Sequence, residues 1–211
     1  MAGLAGLAVV LVSACAGGVT AVSGAYPAGS AYTLQLSRIW SDISVLVPRR
    51  AANVRALSID GPELNLLLVG HDIAPGAGML RPARRDERLP VFRADMTNRE
   101  LVEFVTETLT VLGYVQVEAE ALRPATFANR RGVSLGLRAV TSAGLNMVGQ
   151  AAVTGQDGRM QVLVYMAAEE HYAPLHQGAV DSLFASVISA PGPSPAAAAA
   201  AESAPVLEPT P

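Results

Sequence analysis

The spacing of apolar residues changes along this chain in a readable order. Ile43 to Val47, Val54 to Ile59 and Leu64 to Val69 are short β-compatible runs separated by Pro48-Arg49-Arg50 and Asp60-Gly61-Pro62, and they predict three strands. A Gly- and Pro-bearing loop follows from His71 to Ala94. Thr97 and Glu100 then have the spacing of a capping box, and Leu101, Val105, Thr108, Leu109 and Leu112 recur at helical spacing before Gly113. Tyr114 to Leu122 alternates, with Val115 and Val117 against Gln116 and Glu118, as a half-buried strand does. Gly132 to Val140, Leu145 to Val153 and Arg159 to Ala167 are joined by Gly-bearing turns and read as an antiparallel meander. A last helix is predicted from Pro174 to Ile188, its apolar face made of Leu175, Val180, Leu183, Phe184, Val187 and Ile188. Three strands, a loop, a helix, four strands and a helix predict an α+β fold. It would be a single, mostly antiparallel sheet of about seven strands with the helices packed on it.

The ends of the chain have a different character. Residues 1–14 form an apolar run that closes on small residues, and Val12-Ser13-Ala14-Cys15 matches an aliphatic residue and two small ones before a cysteine. That segment resembles a bacterial lipoprotein signal peptide and its lipobox. The resemblance implies cleavage before Cys15, a thioether diacylglycerol on its sulfur and acylation of the new amino terminus, an anchor that needs no spanning helix. Ala16, where an aspartate would favour the inner membrane, implies the outer membrane, with the domain in the periplasm. Residues 15–31 read as a lipidated flexible tether, residues 32–189 as the domain, and residues 190–211, rich in Pro and Ala, as a disordered tail.

Composition narrows the chemistry. The 211 residues carry a net charge of −3 with 16% charged residues, which excludes a basic nucleic-acid binder. All 15 basic residues are arginine, so Schiff-base chemistry, a Walker lysine and a lysine general base are excluded. A single cysteine excludes an intrachain disulfide and a multi-cysteine metal site, and no cofactor or metal is expected.

Trp40-Ser41-Asp42, the stretch Leu57 to Asn65, the stretch Leu89 to Met96 and the tyrosine-bearing last strand add a second resemblance over about Tyr32 to Ser189. Together with the element order they resemble a family of proteobacterial lipoproteins whose domain looks like the PsbP-type α/β/α sandwich. The resemblance implies a non-catalytic interaction or assembly module, and it brings no family active site to these residues.

Three constellations could carry chemistry. His71-Asp72 is an adjacent acid–base pair, expected to sit at a loop edge with the two side chains on opposite faces of a strand. Glu169, Glu170, His171 and His176 could collect a divalent metal, but the carboxylates have a simpler use beside a helix start. Arg81, Arg84, Arg85, Arg88 and Arg93 form the densest charge feature and are candidate contacts for an anionic glycolipid or an envelope protein. Trp40, Tyr165 and Tyr172 are expected at the core or its edge, and Asp60-Gly61-Pro62 and Gly155 to Gly158 as turns. The expected function is a non-enzymatic, lipid-anchored envelope module that binds a protein or a glycan. The alternative is an envelope hydrolase using His71 or His171 with a nearby carboxylate.

Overall fold

A computed structural model describes residues 18–189 of the chain; the expected signal segment 1–14, Cys15 and the expected 190–211 tail lie outside the described residues. The fold is α+β, with one antiparallel sheet and two helices. Its strands are β1 (Thr20–Ala28), β2 (Tyr32–Asp42), β3 (Val54–Ser58), β4 (Asn65–Ile73), β5 (Tyr114–Phe127), β6 (Arg130–Thr141), β7 (Asn146–Thr154), β8 (Met160–Ala168) and a two-residue β9 (Ile188–Ser189). They are ordered β1-β2-β3-β4-β8-β7-β6-β5-β9, so eight full strands replace the expected seven.

Three of these strands were not expected: β1, β2 and the short β9, whose Ile188 was expected to end the last helix. Residues 20–28, assigned to the tether, form β1 along β2, from Thr20 opposite Asp42 to Ala28 opposite Tyr32, with a bulge between Val22 and Gly24. Their Ala, Ser and Gly side chains give no alternation to read, and Pro27 is tolerated because β1 is an edge strand. In β2 the inward residues Tyr32, Leu34, Leu36 and Trp40 are buried while their neighbours are exposed. The predicted strand Ile43 to Val47 is instead a tight 3₁₀ turn at Ser44–Leu46. Ile43 and Val47 go to the core, Val45 and Leu46 point outward, and Ser44 Oγ accepts the Ala56 N–H at 2.9 Å.

Helix α1 (Asn98–Val111) starts where its capping box predicts. The Glu100 N–H donates to Thr97 Oγ1 at 3.3 Å and the Thr97 N–H to Glu100 Oε2 at 2.8 Å. Leu101, Phe104, Val105 and Leu109 bury its inner face against one side of the sheet, where Met79 and Phe92 of the long loop join them. Helix α2 (Tyr172–Ala185) lies on the other side. It starts before Pro174 and stops before Val187, and Leu175, expected on its inner face, is exposed while Ala173 and His176 are buried.

The sheet is therefore covered on both faces. Every residue of β8 is buried, and in β4 Leu66 and Leu68 face α1 whereas Leu67 and Val69 face α2. This double burial erases the alternation a one-sided antiparallel strand shows. A single helix is too narrow for the α2 face, and the β1–β2 ribbon shares it. β2 joins β3 only at Ser41 and Asp42. Its other end crosses the sheet, so that the Tyr32 hydroxyl lies 3.1 Å from the Gly70 carbonyl and 3.3 Å from that of Val162, and the Tyr32 ring packs edge-on against Phe127 at 5.1 Å. The ribbon's turn seats Gly29, at φ +56°, directly on His71, leaving no room for a Cβ, which would fall 2.4 Å from the imidazole.

Leu183→Ala and Phe184→Ala, each emptying a buried position under α2, are expected to lower stability by about 2–5 kcal/mol in urea unfolding. Gly29→Ala combines a strained left-handed backbone with that collision and is expected to cost about 1–3 kcal/mol. A wild-type midpoint for it would mean the ribbon does not dock on His71.

Candidate functional site

On the α2 face the helix packs on β8 and β2 and leaves part of β5, β6 and β7 open. The strand register brings a row of small and polar residues to this uncovered strip: Gly136 pairs with Glu120 and Gln150, and Gln150 with Tyr165. In the next row Ser134 pairs with Arg123 and Ala152. The result is a groove of about 340 Å³ between the strip and α2, lined by Arg123, Ser134, Gln150, Tyr165, Gln177 and Phe184 among others. Its volume is within the range of small-ligand sites. At the β6 end, Arg138 reaches Glu120 at 3.3 Å and Glu169 at 2.8 Å, and these carboxylates hold its guanidinium pKa above the usual range.

Tyr165 is the unusual member of the lining. The residue is 4% exposed, its ring packs edge-on against Trp40 at 6.2 Å, and its hydroxyl is buried without a hydrogen-bond partner. Such a group costs about 1–3 kcal/mol of stability. Burial pushes its pKa up to about 12, the charge of Asp60 adds to the rise, and Arg38 opposes it.

Beside Tyr165 a polar clamp ties four segments together. Asp60 Oδ2 accepts from His176 Nε2 at 2.5 Å and from Asn65 Nδ2 at 2.6 Å, and the Ser58 hydroxyl donates to Asn65 Oδ1 at 2.9 Å. The Arg38 guanidinium lies 2.7 Å from His176 Nδ1. Guanidinium has no acceptor, so Nδ1 accepts and Nε2 carries the proton toward Asp60. Both ring nitrogens of the buried His176 are thereby occupied. The clamp joins β2, β4, α2 and the turn after β3, so Asp60, expected only as a turn residue, and His176, expected near Glu169, Glu170 and His171, meet each other instead.

The remaining expected residues are dispersed. His171 is the exposed residue preceding α2, its ring edge-on to Tyr172 at 5.0 Å. Among the described residues no three His, Cys, Asp or Glu side chains converge as a metal site. His71 and Asp72 do not point to opposite faces. A bulge after Gly70 and a left-handed Asp72, at φ +50°, bring the carboxylate to 3.5 Å from Nδ1. The contact is too long for a good hydrogen bond, and Nδ1 is buried without a partner. Asp72 is held by the buried Gln161, whose Oε1 accepts its N–H at 2.9 Å and whose Nε2 donates to Oδ1 at 3.2 Å.

The arginine loop presents Arg81, Arg84, Arg85 and Arg88 exposed, with no carboxylate within 4.0 Å among the described residues. Glu87, which lies among them, turns to Arg49 at 2.6 Å, and that guanidinium holds its carboxyl below the usual range. Arg93 is not free as expected: it reaches Glu100 at 2.5 Å and Asp95 at 3.5 Å at the start of α1. No family model, curated protein or solved structure matches the chain.

The buried phenols predict alkaline lability. Tyr26, Tyr114 and Tyr165 ionise at about 12 in the fold against 10.0 when free, mainly through burial. A raised folded pKa contributes stability that is complete below the unfolded value and is lost as pH climbs through the folded one. Urea midpoints are expected to fall between about pH 10 and 12 in step with tyrosinate absorbance, with a shallower slope for Tyr165→Phe. A slope unchanged by that substitution would refute the assignment to Tyr165.

Proposed function

We propose that this chain is a non-enzymatic, lipid-anchored binding module of the bacterial envelope, tethered through Cys15 with its domain in the periplasm at the outer membrane. The lipobox sequence supports the anchor, and an antiparallel sheet covered on both faces supports the resemblance to a PsbP-type α/β/α sandwich. The observation that carries the binding role is the α2 groove, whose lining brings Ser134, Gln150 and Gln177 together beside Tyr165. Amides and hydroxyls beside the Phe184 ring suit the hydroxyls and ring faces of a short glycan, and Arg123 suits an acidic substituent on it. Arg81, Arg84, Arg85 and Arg88 form a second contact surface for an anionic glycolipid or an acidic face of an envelope protein, without a closed pocket around them.

Tyr165→Phe removes the unsatisfied group and is expected to raise the urea midpoint, whereas Gln150→Ala is expected to weaken muropeptide binding about 5- to 10-fold in calorimetric titration of the lipidated protein in detergent. Arg123→Ala is expected to weaken binding similarly with stability unchanged. Binding unaffected by both Gln150→Ala and Arg123→Ala would sink the groove as the site. For the anchor, Cys15→Ser is expected to abolish fatty-acid labelling; unlabelled parent protein that still fractionates with membranes would reject it.

A further inference from the structure

A second groove opens at the end of the molecule where β3 ends and β4, β5 and β7 begin. It encloses about 480 Å³ and is floored by Leu64, Leu66, Leu112 and Tyr114, with Leu46 and Leu145 on its rim. Glu63 is the one charged residue lining it. Among the described residues, two of the exposed large hydrophobic residues, Leu46 and Leu145, line it, and Val45, Val111 and Val115 are chain neighbours of its lining residues, each between 37% and 55% exposed. Scattered apolar side chains are normal on a surface, whereas a cluster around one apolar groove marks an interaction site.

The path of the chain says what covers it. Thr20 pairs with Asp42, and the Asp42 carboxylate accepts the N–H of Ser44, the first residue of the turn that presents Val45 and Leu46. Cys15 lies five residues before Thr20, and five residues span at most about 18 Å when fully extended. An acyl-bearing Cys15 therefore keeps this end of the domain within about 18 Å of the bilayer. The opposite end, where β7 turns into β8, is a full strand length away and carries Gln156, Asp157 and Arg159.

We propose that the apolar end built from the Ser44–Leu46 turn, the α1–β5 junction and the β6–β7 turn is a bilayer-contacting surface that inserts Leu46 and Leu145 at the membrane interface. The inference rests on the lipid anchor at Cys15. Its attraction is apolar, because arginine is missing from the groove lining, so it does not require anionic lipid and persists at high salt.

The test uses the lipidated full-length protein in phosphatidylethanolamine–phosphatidylglycerol vesicles. Leu46→Cys, Leu145→Cys and, at the opposite end, Arg159→Cys each receive an environment-sensitive nitrobenzoxadiazole label. A thioether on Cys15 leaves the introduced thiol as the sole reactive one, so intact mass reports the anchor independently. The expected result is one label per chain, with a blue shift and more than twofold quenching by nitroxide lipid at positions 46 and 145, unchanged in 0.5 M salt, and neither at 159. One label per chain with no quenching at 46 and 145 overturns the surface and leaves the anchor standing. A second label on Cys15 rejects the anchor and this inference with it. A blue shift that grows with protein concentration without vesicles assigns the groove to a second copy of the chain and also overturns the inference.

Discussion

The structure depends on β4 and β8, two neighbouring central strands that are apolar on both faces. Leu67 pairs with Tyr165 and Leu66 with Met166, so each step along the pair sends large side chains alternately to the α1 and the α2 side. At about 25 cal/mol per Å² of apolar surface removed from water, neither side tolerates exposure. On one side α1 and the long loop close the layer with Phe104, Phe92 and Met79. On the other, α2 and the β1–β2 ribbon divide the strip between them and spend their width on β4 and β8. Beyond them, part of β5 to β7 stays uncovered and carries polar or small residues there, such as Ser134, Gly136 and Gln150. The groove is thus a by-product of where cover is needed.

The same face explains the buried polar clamp. Placing α2 over β8 brings His176 into the interior, where an unpaired imidazole is costly; Asp60 and Arg38 satisfy it from two other segments, and Asn65 in turn donates to Asp60. Because both ring nitrogens are engaged, the clamp fixes α2 relative to the ribbon. Tyr165, packed against Trp40 beside it, has no such partner, and the contrast between the two neighbours singles the hydroxyl out.

Sequence patterns were informative where cause and effect are local. The Thr97–Glu100 box sets the start of α1, and the Gly-bearing turns after β6 and β7 set the meander to within a few residues. They failed where a segment takes its conformation from a distant partner. Gly, Ala and Ser in β1 offer no periodicity, and only pairing with β2 makes the segment a strand. Ile43 and Val47 are apolar at a spacing that a turn also satisfies. His176 and Asp60 are separated by 116 positions, and no spacing rule connects them. One signal was present: His176 stands on the same helical face as Ala173 and Val180, and a histidine there implies a buried partner.

The β4–β8 pairing also divides the chain in time. Strands β1 to β4 are linked to one another by short connections, as are β5 to β8, yet the two groups meet along a single seam that joins Leu67 to Tyr165 across almost half the sequence. Closing that seam is a non-local pairing, of the kind that carries a loop-entropy cost and slows folding. Until β8 arrives, β4 is an apolar strand with one open edge, the form of intermediate most prone to self-association. Synthesis from the N-terminus holds β4 in that state for as long as the following hundred or so residues take to appear.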